Sequence, residues 1–317
     1  MRIEGEGDVQ VVESAKGLFA GFHEQVINVD GIDIYCKIGG EGPPLLLVHG
    51  CPQTHVMWHK MAPTLARHFT VVACDLRGYG NSSKPIGDPD HANYSFRAMA
   101  GDLVGVMAKL GYQSFFAIGH DRGARVLHRM ALDHPSVLRR MVLLDILPTA
   151  FLYAQAEAGF AKAYWEWFFF IQDYDFPEKL LSSNVDAFLR YEIGSLLDKG
   201  VISREVWDQY FSALSADGAM HGMCEDYRAG ATIDLVHDAA DAQLRVGCPM
   251  LVLWGNHNPI WQRFDMVSVW QKYADDVTGE GVEAGHYVAE EVPEDIWNRI
   301  APFFENAATG PNTNPRA

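Results

Sequence analysis

A doubly wound, mostly parallel α/β sheet carrying an inserted helical cap is the fold class this sequence predicts, and three observations predict it. Continuous apolar runs recur along the chain, the habit of strands buried on both faces of a parallel sheet. Helical patterns alternate with these runs through the first half, as βαβ units require. The alternation stops after Asp145 and strand-like sequence returns only near Val246, so about 100 residues are inserted between two parts of one sheet.

In chain order, residues 26–29 and 32–38 are β-branched, alternating stretches separated by Asp30 and Gly31, which predicts a hairpin. The continuous runs follow at 45–48, 69–73, 115–118, 141–144 and 250–253, with helices predicted over 96–110 and 124–132. From Phe151 to Phe176 aromatic residues crowd together, and the predicted insertion forms a lid over the carboxyl ends of the strands, where such sheets keep their sites. The divisions are an N-terminal extension (1–22), a first core part (23–148), the cap (149–245), a second core part (246–306) and a disordered tail (307–317) rich in Gly, Pro and Asn.

The chain has 317 residues, 48% hydrophobic and 21% charged, enough for a large core with no apolar excess for a membrane domain. Its formal net charge of −16 repels phosphate backbones and anionic lipid, which argues against nucleic-acid and membrane-surface roles. The acidic start (Glu4, Glu6, Asp8, Glu13) lacks the apolar run of a signal peptide, and a cytoplasmic location is expected. Five scattered cysteines without a C-x-x-C pair suggest neither a disulfide framework nor a zinc site.

The strongest chemical signal is Gly119-His120-Asp121-Arg122-Gly123-Ala124-Arg125, an apolar strand entering a sharp glycine-flanked turn and then a helix. It resembles the nucleophile elbow of the α/β-hydrolase fold, with Asp121 in the place of Ser. Three further features stand in matching chain order. His49-Gly50-Cys51-Pro52 resembles the superfamily's H-G-x-P loop, which makes the backbone N–H groups of Cys51 and Arg122 the expected oxyanion donors. Among 13 histidines, His286 in Glu283-Ala284-Gly285-His286-Tyr287-Val288 has the position and flanks of the late catalytic histidine. The orienting acid is expected at Asp145, because the end of the 250–253 strand, Trp254-Gly255-Asn256-His257-Asn258, carries no carboxylate.

An Asp nucleophile suits displacement at a saturated carbon, giving an alkyl ester that a His-activated water then cleaves. Organohalides and epoxides both fit; a non-enzymatic relative would normally have lost one of the three residues. The elbow, with Leu144-Asp145-Ile146-Leu147-Pro148-Thr149 and Cys224-Glu225-Asp226-Tyr227-Arg228-Ala229-Gly230, is similar to the haloacetate (fluoroacetate) dehalogenase family from about residue 20 to residue 305. That resemblance implies a capped, cofactor-free hydrolase, usually a homodimer, acting on a small anionic substrate whose carboxylate is clamped by Arg122 and Arg125. Two fixed guanidinium groups also suit bidentate carboxylate binding on their own account.

The sequence departs from the family at the leaving-group pocket, where the family uses a cap His-Trp pair and a Tyr. Here Glu166 precedes Trp167, and Thr232 stands at the Tyr position; a one-residue shift makes Trp165 the indole donor instead. An ionised Glu166 repels a halide, so the pocket is either rebuilt with other donors or serves another leaving group. An epoxide hydrolase is the rival reading, needing two cap tyrosines from Tyr164, Tyr210 and Tyr227.

Overall fold

The computed structural model describes residues 17–305. The expected disordered tail and most of the N-terminal extension therefore lie outside the described residues.

Eight strands form one sheet in the order β1-β2-β4-β3-β5-β6-β7-β8. β1 (His23–Val29) and β2 (Ile32–Gly39) make the expected hairpin, Asp30 and Gly31 both taking the positive φ that a tight turn needs. β2 also runs antiparallel to β4 (Thr70–Cys74). The remaining neighbours are parallel: β3 (Pro44–Val48), β5 (Phe115–His120), β6 (Leu138–Leu144), β7 (Met250–Gly255) and β8 (Val277–Val282). β3 and β5 are buried along their whole length, which is why they read as unbroken apolar runs. β8 escaped the sequence reading because it lies at the sheet's edge and its Val-Thr-Gly-Glu-Gly-Val is only partly buried.

The core helices are α1 (Ala62–Leu65), α2 (Phe96–Lys109) and α3 (Arg122–Asp133) before the insertion. After it come α12 (Met266–Trp270), α13 (Val288–Glu291) and α14 (Pro293–Glu305). α2 is capped by Ser95, whose hydroxyl accepts from the Ala98 N–H, and it packs beside α3.

Eight helices lie between β6 and β7: α4 (Thr149–Ala154), α5 (Ala158–Ala163), α6 (Glu166–Phe169), α7 (Phe176–Ser183), α8 (Val185–Asp198), α9 (Arg204–Ser215), α10 (Ala219–Ala231) and α11 (Ile233–Ala240). The aromatic crowd of 151–176 is partly their packing: Phe160, Trp167 and Phe170 are buried, with Phe160 and Trp167 meeting edge-on at 5.9 Å. Polar contacts tie this cap to the sheet. Tyr79 donates to Asp226 (2.6 Å), Tyr210 to Glu290 (3.0 Å), and the Phe96 N–H to Asp234 (3.0 Å). Each joins groups that burial would otherwise leave unpaired, so each fixes where the cap sits as well as adding stability. No helix among the described residues is long and apolar enough to cross a membrane.

Candidate active site

The elbow follows from local sterics. Asp121 sits between β5 and α3 at φ 45 and ψ −116, a strained conformation that aims its side chain out of the sheet. The flanking glycines are required by contact: a Cβ on Gly119 would lie 2.8 Å from the Ala124 Cα, and one on Gly123 would lie 2.5 Å from the carbonyl oxygens of Val48 and His49. A Cβ on Gly50 would likewise meet the Asp121 Cβ at 2.5 Å.

The loop after β3 is held by His49, whose Nδ1 donates to the Gly50 carbonyl (2.9 Å) while Nε2 accepts from the Leu76 N–H (3.0 Å). That places the Cys51 N–H 3.1 Å from Asp121 Oδ1 as a donor. Arg122 is the first residue of α3, so its N–H has no partner within the helix and remains free for the same oxygen's neighbourhood.

Asp145, after β6, is fully buried at φ 57. Its Oδ1 accepts from the Gly255 N–H (2.7 Å), and its Oδ2 accepts from His286 Nδ1 (2.5 Å). The other imidazole nitrogen, Nε2, stands 3.9 Å from Asp121 Oδ2. The structure thus brings Asp121, Asp145 and His286 together from three chain segments. Burial lowers the His286 pKa, but the hydrogen bond and charge of Asp145, with the Asp121 and Glu166 carboxylates, raise it to about 9. Burial raises the Asp121 pKa, and the positive charge of His286 and then Arg125 more than offsets it, leaving the carboxyl below its ordinary value. His120 beside the nucleophile was not singled out from sequence; it is buried, its Nε2 donates to the His286 carbonyl (2.8 Å), and the two rings lie 4.7 Å apart.

A cavity of about 350 Å³ opens over Asp121 and His286, walled by the cap residues Tyr164, Trp165, Glu166, Trp167, Glu192 and Tyr227 and by Cys51 of the core. Both candidate indoles and Glu166 therefore line the cavity over Asp121. Thr232 does not. It is exposed at the end of α10, where the helix stops, and its hydroxyl donates to the Arg228 carbonyl (2.6 Å). Of the three tyrosines, Tyr164 and Tyr227 line the cavity, whereas Tyr210 is spent on Glu290.

The two arginines are held differently. Arg122 is 1% exposed and forms a two-pronged ion pair with Asp226: Nε donates to Oδ2 at 2.9 Å, and Nη2 donates to Oδ1 and to the main-chain carbonyl. Its guanidinium is sandwiched between the rings of Phe96 and Tyr227, at 4.6 and 4.3 Å from their centroids. Burial opposes its charge, and Asp226 more than restores it, so its pKa rises. Arg122 is thus a neutralised structural cation, because a buried guanidinium needs a buried carboxylate and α10 supplies one. Arg125 has no such partner: Nη1 donates to the Leu147 carbonyl and the Thr149 hydroxyl (both 2.9 Å), and the group lies 4.8 Å from the Trp167 ring centroid. Burial lowers its pKa. Among the described residues neither arginine itself lines the cavity; Arg125 sits behind Trp167, a wall residue.

Two residues carry little signal in the sequence. Asp226, the buried partner of Arg122, is visible only as part of a motif, and the wall residue Glu192 stands in the middle of an amphipathic helix where nothing marks it.

A mostly parallel sheet, a strained acidic elbow after β5 and a late histidine held by an acid after β6 define an α/β hydrolase. The family model described as alpha/beta hydrolase fold matches residues 43–292, and the chain belongs to that family. Within it, the chain is 41% identical over 298 residues to the fluoroacetate dehalogenase of Burkholderia sp, covering 92% of this chain and 97% of that one. It is 31% identical to the soluble epoxide hydrolase of Corynebacterium sp. (strain C12), covering 89% and 96%. A crystal structure of an α/β-hydrolase candidate from Nostoc sp PCC 7120 superposes with a TM-score of 0.88 at 46% identity, covering 90% of this chain and 99% of that one.

Proposed function

We propose that this hydrolase displaces a leaving group from a saturated carbon through an alkyl ester on Asp121, and that a haloacetate, converted to glycolate and halide, is the substrate its site fits best. The observation that carries the proposal is the Asp121 carboxylate held by the Cys51 N–H, with His286 Nε2 3.9 Å away and tied to Asp145.

In the first step an Asp121 oxygen attacks the carbon bearing the halogen; the C–O bond forms and the halide leaves with the bonding pair. In the second, His286 takes a proton from water, whose oxygen attacks the Asp121 acyl carbon. The developing oxyanion lies against the Cys51 and Arg122 N–H groups. Collapse releases glycolate and restores the carboxylate, and the imidazolium loses its proton to solvent.

Arg125 supports the anionic substrate. It is a buried cation without a carboxylate partner, one helical turn after the nucleophile, and its field favours a second negative charge in the cavity. The likeness to a fluoroacetate dehalogenase points the same way.

Epoxide opening is the second reading, favoured by Tyr164 and Tyr227 standing on the same wall as possible donors to an oxygen leaving group. The test is the His286→Asn protein incubated with chloroacetate and, separately, with an epoxide, followed by mass spectrometry of the peptide containing Asp121. An ester adduct is expected, and its absence with substrates the wild type consumes refutes the scheme. Halide release measured beside diol formation separates the two readings.

A further inference from the structure

Glu166 and Glu192 come from different cap helices, α6 and α8, yet both face the cavity that holds Asp121 and His286. Neither makes an ion pair among the described residues, although two fully buried carboxylates close by are paired: Asp226 with Arg122, and Asp145 with His286. Glu192 Oε1 is buried without a hydrogen-bond partner. Two unpaired carboxyls sharing a wall with an ionised nucleophile cannot all carry charge without large repulsion, and a site that admits an anion must first remove that repulsion. The economical state is one in which Glu166 keeps its proton beside a charged Glu192. A protonated carboxyl is also a donor, and it stands where the family pattern would place another donor to the leaving group.

We propose that Glu166 acts in its protonated form as the donor to the leaving group in the first step, with Glu192 on the same wall keeping it neutral. This rests on the Asp121 ester scheme above and assigns a role within it. A departing halide receives a hydrogen bond and Glu166 keeps its proton. When the leaving group is an epoxide oxygen, the C–O bond breaks, the alkoxide takes the Glu166 proton, and Glu166 becomes a carboxylate. The proton that His286 later removes from water then restores Glu166, so epoxide and water become diol with no net change in the protein.

Burial, then the Glu192 charge, pushes the Glu166 pKa to about 8, and burial pushes that of Glu192 to about 7. The groups facing Glu166 from other elements are the Asp121 and Glu192 carboxyls, the His286 imidazole, the Cys51 thiol and the phenols of Tyr164, Tyr191, Tyr227 and Tyr287. Burial drives the Cys51 thiol and the phenols of Tyr164, Tyr227 and Tyr287 upward, well above the pH at which Glu166 titrates. Over pH 6–9 in a protein lacking His286, loss of the first-step donor therefore reports on the cap acids.

The experiment follows ester formation on Asp121 by quenched-flow mass spectrometry in the His286→Asn background, which isolates the first step. Chloroacetate and glycidate, an epoxide that also carries a carboxylate, are the probes. With Glu166 intact the rate should fall above about pH 8, approaching tenfold per pH unit. Glu166→Gln, whose amide is a permanent N–H donor, should make the chloroacetate profile flat while lowering glycidate opening at every pH, since an amide does not release its proton. Glu192→Gln, which removes the neighbouring charge, should move the fall to lower pH and confirms that the response belongs to the cap pair rather than to a damaged cavity. Ester formation with the same pH profile in Glu166→Gln as in its parent, or no fall by pH 9 in the parent, overturns the proposal while leaving the ester scheme standing. Failure to form any ester overturns both.

Discussion

Replacing Asp121 by Asn should lower the His286 pKa by about 3, and this tests the electrostatics on which the two-step scheme depends. His286 Nε2 lies 3.9 Å from Asp121 Oδ2. At an effective dielectric of about 20, a pair at that distance is worth about 4 kcal/mol. One pKa unit corresponds to about 1.4 kcal/mol, so removal of the negative charge should bring the imidazole from about 9 in the intact protein to about 6. The same loss of charge occurs whenever Asp121 is esterified. At neutral pH His286 is then an imidazolium in the resting protein, and it becomes a neutral base at the moment a base is required.

The same shift makes the stability of the fold depend on pH. A histidine raised from about 6.5 to about 9 stabilises the fold fully below pH 6.5, and the contribution, up to about 3 kcal/mol, is lost as pH rises through 9. In Asp121→Asn that window should close. The assay is a titration of the His286 ring by two-dimensional NMR in both proteins, with His286→Asn to assign the signal. Turnover of the preformed ester, measured against pH, should rise with a midpoint near 6. A His286 pKa in Asp121→Asn still within one unit of 9 would show that Asp145 alone sets it and would refute the reasoning.

Asp226→Asn should destabilise the fold by about 3–5 kcal/mol, the cost of stranding the buried Arg122 charge, and lower the melting temperature by on the order of 10 °C. Calorimetry of Asp226→Asn, Arg122→Met and the double variant should show the double change costing less than the sum of the two. Gly50→Ala should cut kcat at least a hundredfold, because the new Cβ lies 2.5 Å from the Asp121 Cβ and displaces the nucleophile; unchanged kcat in the folded variant would place the nucleophile elsewhere. Chloride and bromide release from haloacetates should far outpace fluoride release from fluoroacetate, since Thr232 is turned away from the cavity and breaking C–F needs several aligned donors. Ion-selective electrodes decide this directly, and equal rates would mean that Trp165, Glu166 and Trp167 suffice.

The features legible from residue order alone are the local ones. The β5 elbow is legible because the steric demands that shape it act between neighbours: Gly119 against Ala124, and a strand whose burial on both faces makes it uniformly apolar. Asp145 and His286 were legible from their places at strand ends and in chain order, since a sheet's connectivity decides which loops meet above it. The pairings between distant segments become visible only once the chain is packed. Arg122 suits a carboxylate by its sequence position, and only the fold shows that Asp226, over a hundred positions later, lies against it. Thr232 read as a pocket residue until the end of α10 turned it outward. Glu192 carried no signal at all, yet it faces the nucleophile beside Glu166. A buried charge is defined by the partner and the solvent around it, and these belong to the packed chain, whereas a turn is defined by the few residues that make it.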